Sequence, residues 1–123
     1  MASETLHEDP VALGPEVIDR HRAIVSLMEE LEAVDWYDQR AKATANPELR
    51  AVLEHNRDEE KEHAAMALEW LRRTDPVLDK HLRTFLFKEG PITEIEANME
   101  SAGEETAPSG SLGIGSLRRQ PEK

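Results

Sequence analysis

Leu49-Arg-Ala-Val-Leu-Glu-His-Asn-Arg-Asp-Glu-Glu-Lys-Glu-His-Ala-Ala-Met-Ala-Leu-Glu-Trp-Leu71 repeats its apolar residues at helical spacing. Stepping by threes and fours runs through Leu49, Val52 (or Leu53), Asn56, Glu60, His63, Ala67 and Leu71. Two ionisable residues, Glu60 and His63, therefore stand in the apolar row, three apart and on one helix face. An ionised carboxylate turned inward without a partner is very costly, so a partner must be supplied, and a metal cation is one.

Working outward, punctuation marks divide the chain. Asn46-Pro47 precedes the row, with Asn46 as N-cap and proline at the first helical position, where its missing N–H costs nothing. Gly14-Pro15 and Asp75-Pro76 repeat the device, and Gly90-Pro91 closes a later segment. The expected helices run over 15–43, 47–73 and 76–88, with a last turn over Ile92 to Ala97. No segment alternates like a strand. The short link at Thr44 to Asn46 folds the first two helices back as an antiparallel hairpin. Two helices cannot bury an apolar stripe on every side. Two hairpins together make a four-helix bundle with a closed core.

The first helix carries a matching row, Ala23, Leu27, Glu30, Val34 and Tyr37, again interrupted by a glutamate. An inward Glu on one helix and an inward Glu-x-x-His on the next make half of the ligand set of carboxylate-bridged di-iron bundles. A symmetric dimer supplies the rest: four carboxylates and two imidazoles around two metals. That mixed set suits iron or manganese, and less specifically zinc. The spacing alone leaves another reading open, in which Glu60 and His63 form a hydrogen-bonded pair or lie on a solvated face. Glu29 and Glu32 flank Glu30, and Glu59 and Glu62 flank Glu60, either as a relay of carboxylates or as plain helix surface. Trp36 and Tyr37 lie about two turns beyond Glu30 and either shield the site or pack at an interface. His55 is a transient metal contact or an exposed helix residue. His21, His81 and His7 have no evident partner in the pattern, and Met28, Met66 and Leu68 read as packing.

Composition sets the bounds. The chain has 123 residues, 33% of them charged and 4% aromatic, so a single small domain has little core of its own and oligomerisation is the usual remedy. Cysteine is absent, which removes disulfides, thiolate metal sites and cysteine nucleophiles. The net charge of -11 argues against nucleic acid and suits attraction of cations. All of that excess lies before Ser101, because Glu104, Glu105 and Glu122 are matched by Arg118, Arg119 and Lys123. No apolar run reaches membrane-spanning length, and Met1 to Pro10 is polar and acidic, unlike a secretory signal. A cytoplasmic protein fits. Ser101 to Gly110 has no large apolar residue and reads as a linker, after which Leu112, Ile114 and Leu117 restore apolar character.

His21 to Arg40, His55 to Met66, Leu68 to Arg73, Arg83 to Phe87 and Gly90 to Thr93 together resemble the encapsulated ferritins over residues 15–97. The tail from Gly110 to Leu117 resembles the targeting peptide by which such cargo enters encapsulin shells. The resemblance implies an all-α, half-ferritin fold: an antiparallel two-helix hairpin plus a short third helix, dimerising into a ferritin-like four-helix unit. It implies a ring-shaped decamer, a pentamer of dimers, with a di-iron ferroxidase centre between subunits. The positions matching its ligands are Glu30, Glu60 and His63. Glu29 and Glu32 match an iron entry route, Trp36 a neighbouring aromatic, and Tyr37 a tyrosine beside the centre. The chain then divides into a flexible N-terminus (1–14), a ferritin-like domain (15–97), a linker (98–110), a targeting peptide (111–118) and a polar end (119–123).

The implied activity is oxidation of Fe(II) by O2, with the mineral held inside an encapsulin nanocompartment in the cytoplasm. Two other functions compete. A rubrerythrin-like peroxidase fits the ligands but lacks cysteine for the rubredoxin-type iron centre that usually supplies its electrons. A non-enzymatic helical adaptor would dimerise and dock through its tail alone.

Overall fold

The computed structural model describes residues 5–106, and they are helical with no strand among them. Helix α1 spans Pro10–Ala43, α2 Pro47–Thr74, α3 Pro76–Phe85 and α4 Ile92–Thr106.

The caps follow from the side chains that the sequence places at each start. Asn46 Oδ1 accepts from the backbone N–H of Leu49 at 2.9 Å, and Pro47 follows as the first helical residue. Asp75 Oδ1 accepts from the N–H groups of Val77 and Leu78, each at 3.1 Å, ahead of Pro76. Each contact satisfies a donor that the first turn leaves orphaned. The start of α1 differs from expectation. Asp9 caps a turn that begins at Pro10, accepting from Val11 N–H at 2.8 Å. Gly14 then breaks the helix with φ 80° and ψ 165°, and the long helix resumes at Pro15. The expected start at Gly14-Pro15 is therefore a kink, preceded by an extra turn over Pro10 to Leu13.

Helices α1 and α2 pack as an antiparallel hairpin across the link Thr44 to Asn46. Arg50 reaches back over that link, its Nε donating to the carbonyl of Ala41 at 3.0 Å. Thr44 Oγ1 donates to the carbonyl of Arg40 at 2.6 Å. Both occupy carbonyls that the end of α1 leaves without intrahelical partners. Among the described residues, only Ala41, Ala64 and Leu71 are buried. Small side chains at the interface bring the helices close but remove little apolar surface from water. Ile24, Leu31, Trp36, Leu49, Val52, Met66 and Trp70 stay exposed, Met66 at 65%. Met66 therefore does not pack within the chain. A hairpin with this much uncovered apolar surface has the character of half a bundle.

The chain divides into two compact units, Met1–Leu78 and Asp79–Lys123. In the second, Arg83 Nε donates to both carboxylate oxygens of Asp79. Lys88 Nζ donates to the carbonyl of Arg83 at 2.9 Å, closing the end of α3. Phe87 follows that end with φ 61° and a fully exposed ring. Helix α4 is longer than the expected turn over Ile92 to Ala97. It runs through Ser101 to Thr106, which the composition marks as linker. Ser101 to Thr106 includes Ser, Gly and Thr, all weak helix formers, so it extends a helix already begun at Ile92 rather than starting one, and the lack of large apolar residues is a poor guide to its conformation. The rest of the expected linker, the peptide over 111–118 and the polar end lie outside the described residues. No described helix is long and apolar enough to cross a membrane.

Candidate metal centre

Helix α1 contributes Glu30, and α2 contributes Glu60 and His63. Because the helices run antiparallel, the interrupted row of each comes to one level. His63 Nδ1 lies 3.3 Å from Glu60 Oε1 and 3.7 Å from Glu30 Oε1. One donor atom from each residue falls within 4.8 Å of the others, a spacing at which a metal ion is held. Glu30 and Glu60 are half-buried, with side chains 29% and 25% exposed. His63 is more open than its place in the apolar row implies, at 47%. The cluster thus sits at the edge of the hairpin and faces outward on the histidine side.

The electrostatics are those of an anionic site. The Glu30 carboxyl is held above its ordinary range, chiefly by its hydrogen bond to Glu60 and then by loss of water. Glu60 is held below its range, chiefly by accepting from Glu30 and then by its bond to His63. The opposite directions of the two carboxyls are the usual outcome when like charges meet. His63 is raised above 6.5, chiefly by its hydrogen bond to Glu60 and also by the charge of Glu30. The carboxylate and imidazole atoms here are grouped closely enough to be donors to one divalent cation. Two carboxylates and an imidazole form a donor set that fits iron or manganese.

A sign follows for pH. Metal must displace the proton of His63, so affinity falls as pH falls through the raised imidazole value, in the window beginning above 6.5. Titrating the protein anaerobically with Fe(II) in weakly buffered solution should release more protons per ion below that value than above it. Affinity that grows with acidity would contradict the arrangement.

The other residues singled out in the sequence are placed differently. Glu29 and Glu32 are exposed on α1 and do not join the three-residue cluster. Tyr37 is half-buried and Trp36 is 50% exposed. The Arg40 guanidinium lies 5.5 Å from the Tyr37 ring centre and 5.8 Å from that of Trp36, a pair of cation–π contacts. His55 is exposed, with Nε2 4.0 Å from Glu59 Oε2. Neither Arg40 nor Arg57, which bonds Asp38 across the hairpin, is marked by the apolar rows. The available signal was their spacing, Arg40 one turn after Tyr37 and Arg57 one turn before Glu60.

Comparison with known proteins agrees with this architecture. The EncFtn-like family model matches residues 5–89. The encapsulated ferritin-like protein of Rhodospirillum rubrum is 59% identical over 127 residues, covering 95% of this chain and 90% of its own. The encapsulin nanocompartment cargo protein EncC of Myxococcus xanthus is 34% identical, over 77% of this chain and 81% of its own. A crystal structure of a Nitrosomonas europaea protein superposes with a TM-score of 0.69 at 59% identity, covering 71% of this chain and 96% of that one. With a family model matched over most of its length and a half-ferritin hairpin carrying a carboxylate–imidazole cluster, the chain belongs to the EncFtn-like family of encapsulated ferritin-like proteins.

Proposed function

We propose that the protein is a ferroxidase, oxidising Fe(II) to Fe(III) with O2 at a di-iron centre shared by two copies of the chain. The observation that carries this is the open-sided trio of Glu30, Glu60 and His63. Three side chains are too few for two irons, whereas two trios facing one another supply four carboxylates and two imidazoles. The exposed apolar side chains of α1 and α2 favour such a pairing. Five such dimers in a ring give the decamer that the family resemblance implies.

Iron is the substrate, giving one electron per ion to O2 and leaving as ferric oxide. The chain's residues bind it and bias its charge state. Glu30 and Glu60, when both are ionised, favour the more highly charged ferric ion. His63 gives up its proton and presents a ring nitrogen. Glu29 and Glu32, exposed on the helix that carries Glu30, draw cations towards the centre. The family resemblance implies Tyr37 as a tyrosine beside the centre and Trp36 as a neighbouring aromatic. Adding Fe(II) aerobically to the purified oligomer should consume oxygen and develop ferric absorbance. No oxygen uptake would leave only an adaptor, and a stronger response to peroxide than to O2 would indicate a peroxidase.

The oxidised iron is stored inside an encapsulin compartment in the cytoplasm, because an open ring has no closed cavity of its own. The name of the Myxococcus relative supports this reading. The address is the tail, in which Leu112, Ile114 and Leu117 are the large apolar residues after Met99. The two-residue spacing of Leu112 and Ile114 suits a peptide bound in extended form, with Leu117 as a third anchor. Three apolar side chains at about 25 cal/mol per Å² give modest gross affinity per tail, so capture relies on many tails per ring. Deleting residues 108–123 should leave iron oxidation intact and abolish loading when shell and cargo are co-expressed. Loading at the parent level would show that the tail is not the address.

A further inference from the structure

We propose that Arg57 and Asp38 form a clasp that sets the register of α1 on α2 and so positions Glu30 against Glu60 and His63. Arg57 Nη1 donates to Asp38 Oδ1 at 3.0 Å, crossing from α2 to α1. Its Nε donates to Asp58 Oδ1 at 3.1 Å on its own helix, so the guanidinium is held at two points. The Arg57 side chain is 23% exposed, covered more than most surface arginines. Arg57 stands three residues before Glu60, about 4.5 Å along α2. The clasp therefore ties the helices on the side of the hairpin link, about one turn from Glu60 on α2 and about two turns from Glu30 on α1.

The need for a clasp follows from the packing. The fully buried side chains among the described residues are Ala41, Ala64 and Leu71, two of them too small to interlock, and the larger Leu27, Val34, Leu53 and Leu68 are only half-buried. Packing that leaves the larger apolar side chains half-covered resists sliding of one helix on the other only weakly. The Glu30 and Glu60 carboxylates repel when both are ionised, which pushes the helices apart at the site itself. A slip of one residue moves Glu30 by about 1.5 Å, well beyond the roughly 0.5 Å tolerance of a preorganised site. Asp38 is 66% exposed, so the pair is covered on the Arg57 side only, and it serves to fix register more than to add net stability.

The inference rests on the metal-centre reading above, and its test separates the two. Arg57 also places a positive charge near Glu60. If charge were its only influence, removing it would tighten cation binding; if it positions the ligands, removing it weakens binding. Fe(II) affinity is measured anaerobically on the full chain by calorimetry, with helix content and oligomer size checked for each variant. Arg57→Ala should weaken binding about tenfold, as loss of a ligand-orienting group commonly does. Arg57→Lys, which keeps the charge but loses the fork, should fall between. The reversed pair, Arg57→Asp with Asp38→Arg, should recover most of the affinity, while Asp38→Arg alone should not. Unchanged or tighter binding by Arg57→Ala overturns the clasp, as does a reversed pair no better than Asp38→Arg alone. If Arg57→Ala fails to fold, Arg57→Lys and the reversed pair decide. Glu60→Gln is the control. If it loses Fe(II) while Arg57→Ala binds like the parent, only the clasp fails. If Glu60→Gln binds like the parent, the centre fails and takes the clasp with it.

Discussion

Glu30→Ala, Glu60→Ala and His63→Ala are each expected to reduce iron oxidation at least a hundredfold. The reason is multiplicity. In a site built from two copies, one substitution removes two ligands, one from each side. The remaining set has either two carboxylates and two imidazoles or four carboxylates and no imidazole, too few for two irons. The loss should appear in the rate of ferric absorbance at saturating Fe(II), not only in the concentration of iron needed. In the apo protein, removing Glu60 also frees Glu30 and His63 from their shared hydrogen bonds, so the variant should still fold. Its side chain is a quarter exposed and belongs to none of the buried contacts. Glu29→Ala and Glu32→Ala should act more mildly, on the approach of iron rather than its oxidation. A Glu30/Glu60/His63 triple variant that oxidises Fe(II) at the parent rate would refute the ligand assignment.

Much of this arrangement is legible in the sequence because it depends on periodicity within one helix. Glu60 and His63 share a face by spacing alone, and Asn46 and Asp75 announce their caps by residue type and the proline that follows. The antiparallel link then brings Glu30 to the same level without further information. What escapes is decided across helices. The reach of Arg57 to Asp38 and of Arg50 to Ala41 depends on helix rotation and on long, flexible side chains, which no intrahelical pattern specifies. The exposure of His63 escapes for a different reason. Its row is apolar, but a row can be apolar for the sake of a second copy, and a single hairpin leaves that side open. The same logic explains Met66, one turn further along α2 and more exposed still. The extent of α4 was hidden because solvated helices and linkers have similar compositions.

Activity is expected to follow association and to vanish in isolated monomers. One chain offers one imidazole and two carboxylates, enough to hold one ion weakly and not enough to hold two for paired electron transfer to O2. Its apolar surface points the same way. Ile24, Leu31, Trp36, Leu49, Val52 and Trp70 are 42% to 54% exposed in the single hairpin. Covering even half of such a set recovers several kcal/mol at about 25 cal/mol per Å², and this gain is opposed by the cost of association. Each hairpin carries an excess of acidic residues, so two trios brought together repel until cations enter between them. Metal and association are therefore linked: iron that binds the paired state more tightly than the single hairpin stabilises the pair by mass action. Raising Fe(II) should shift a monomer–dimer mixture towards the dimer, and diluting the protein should lower specific activity rather than leave it constant. Size-exclusion fractions assayed separately for iron oxidation would show both. Full specific activity in a strictly monomeric fraction would mean that one hairpin suffices, and the shared centre would have to be abandoned.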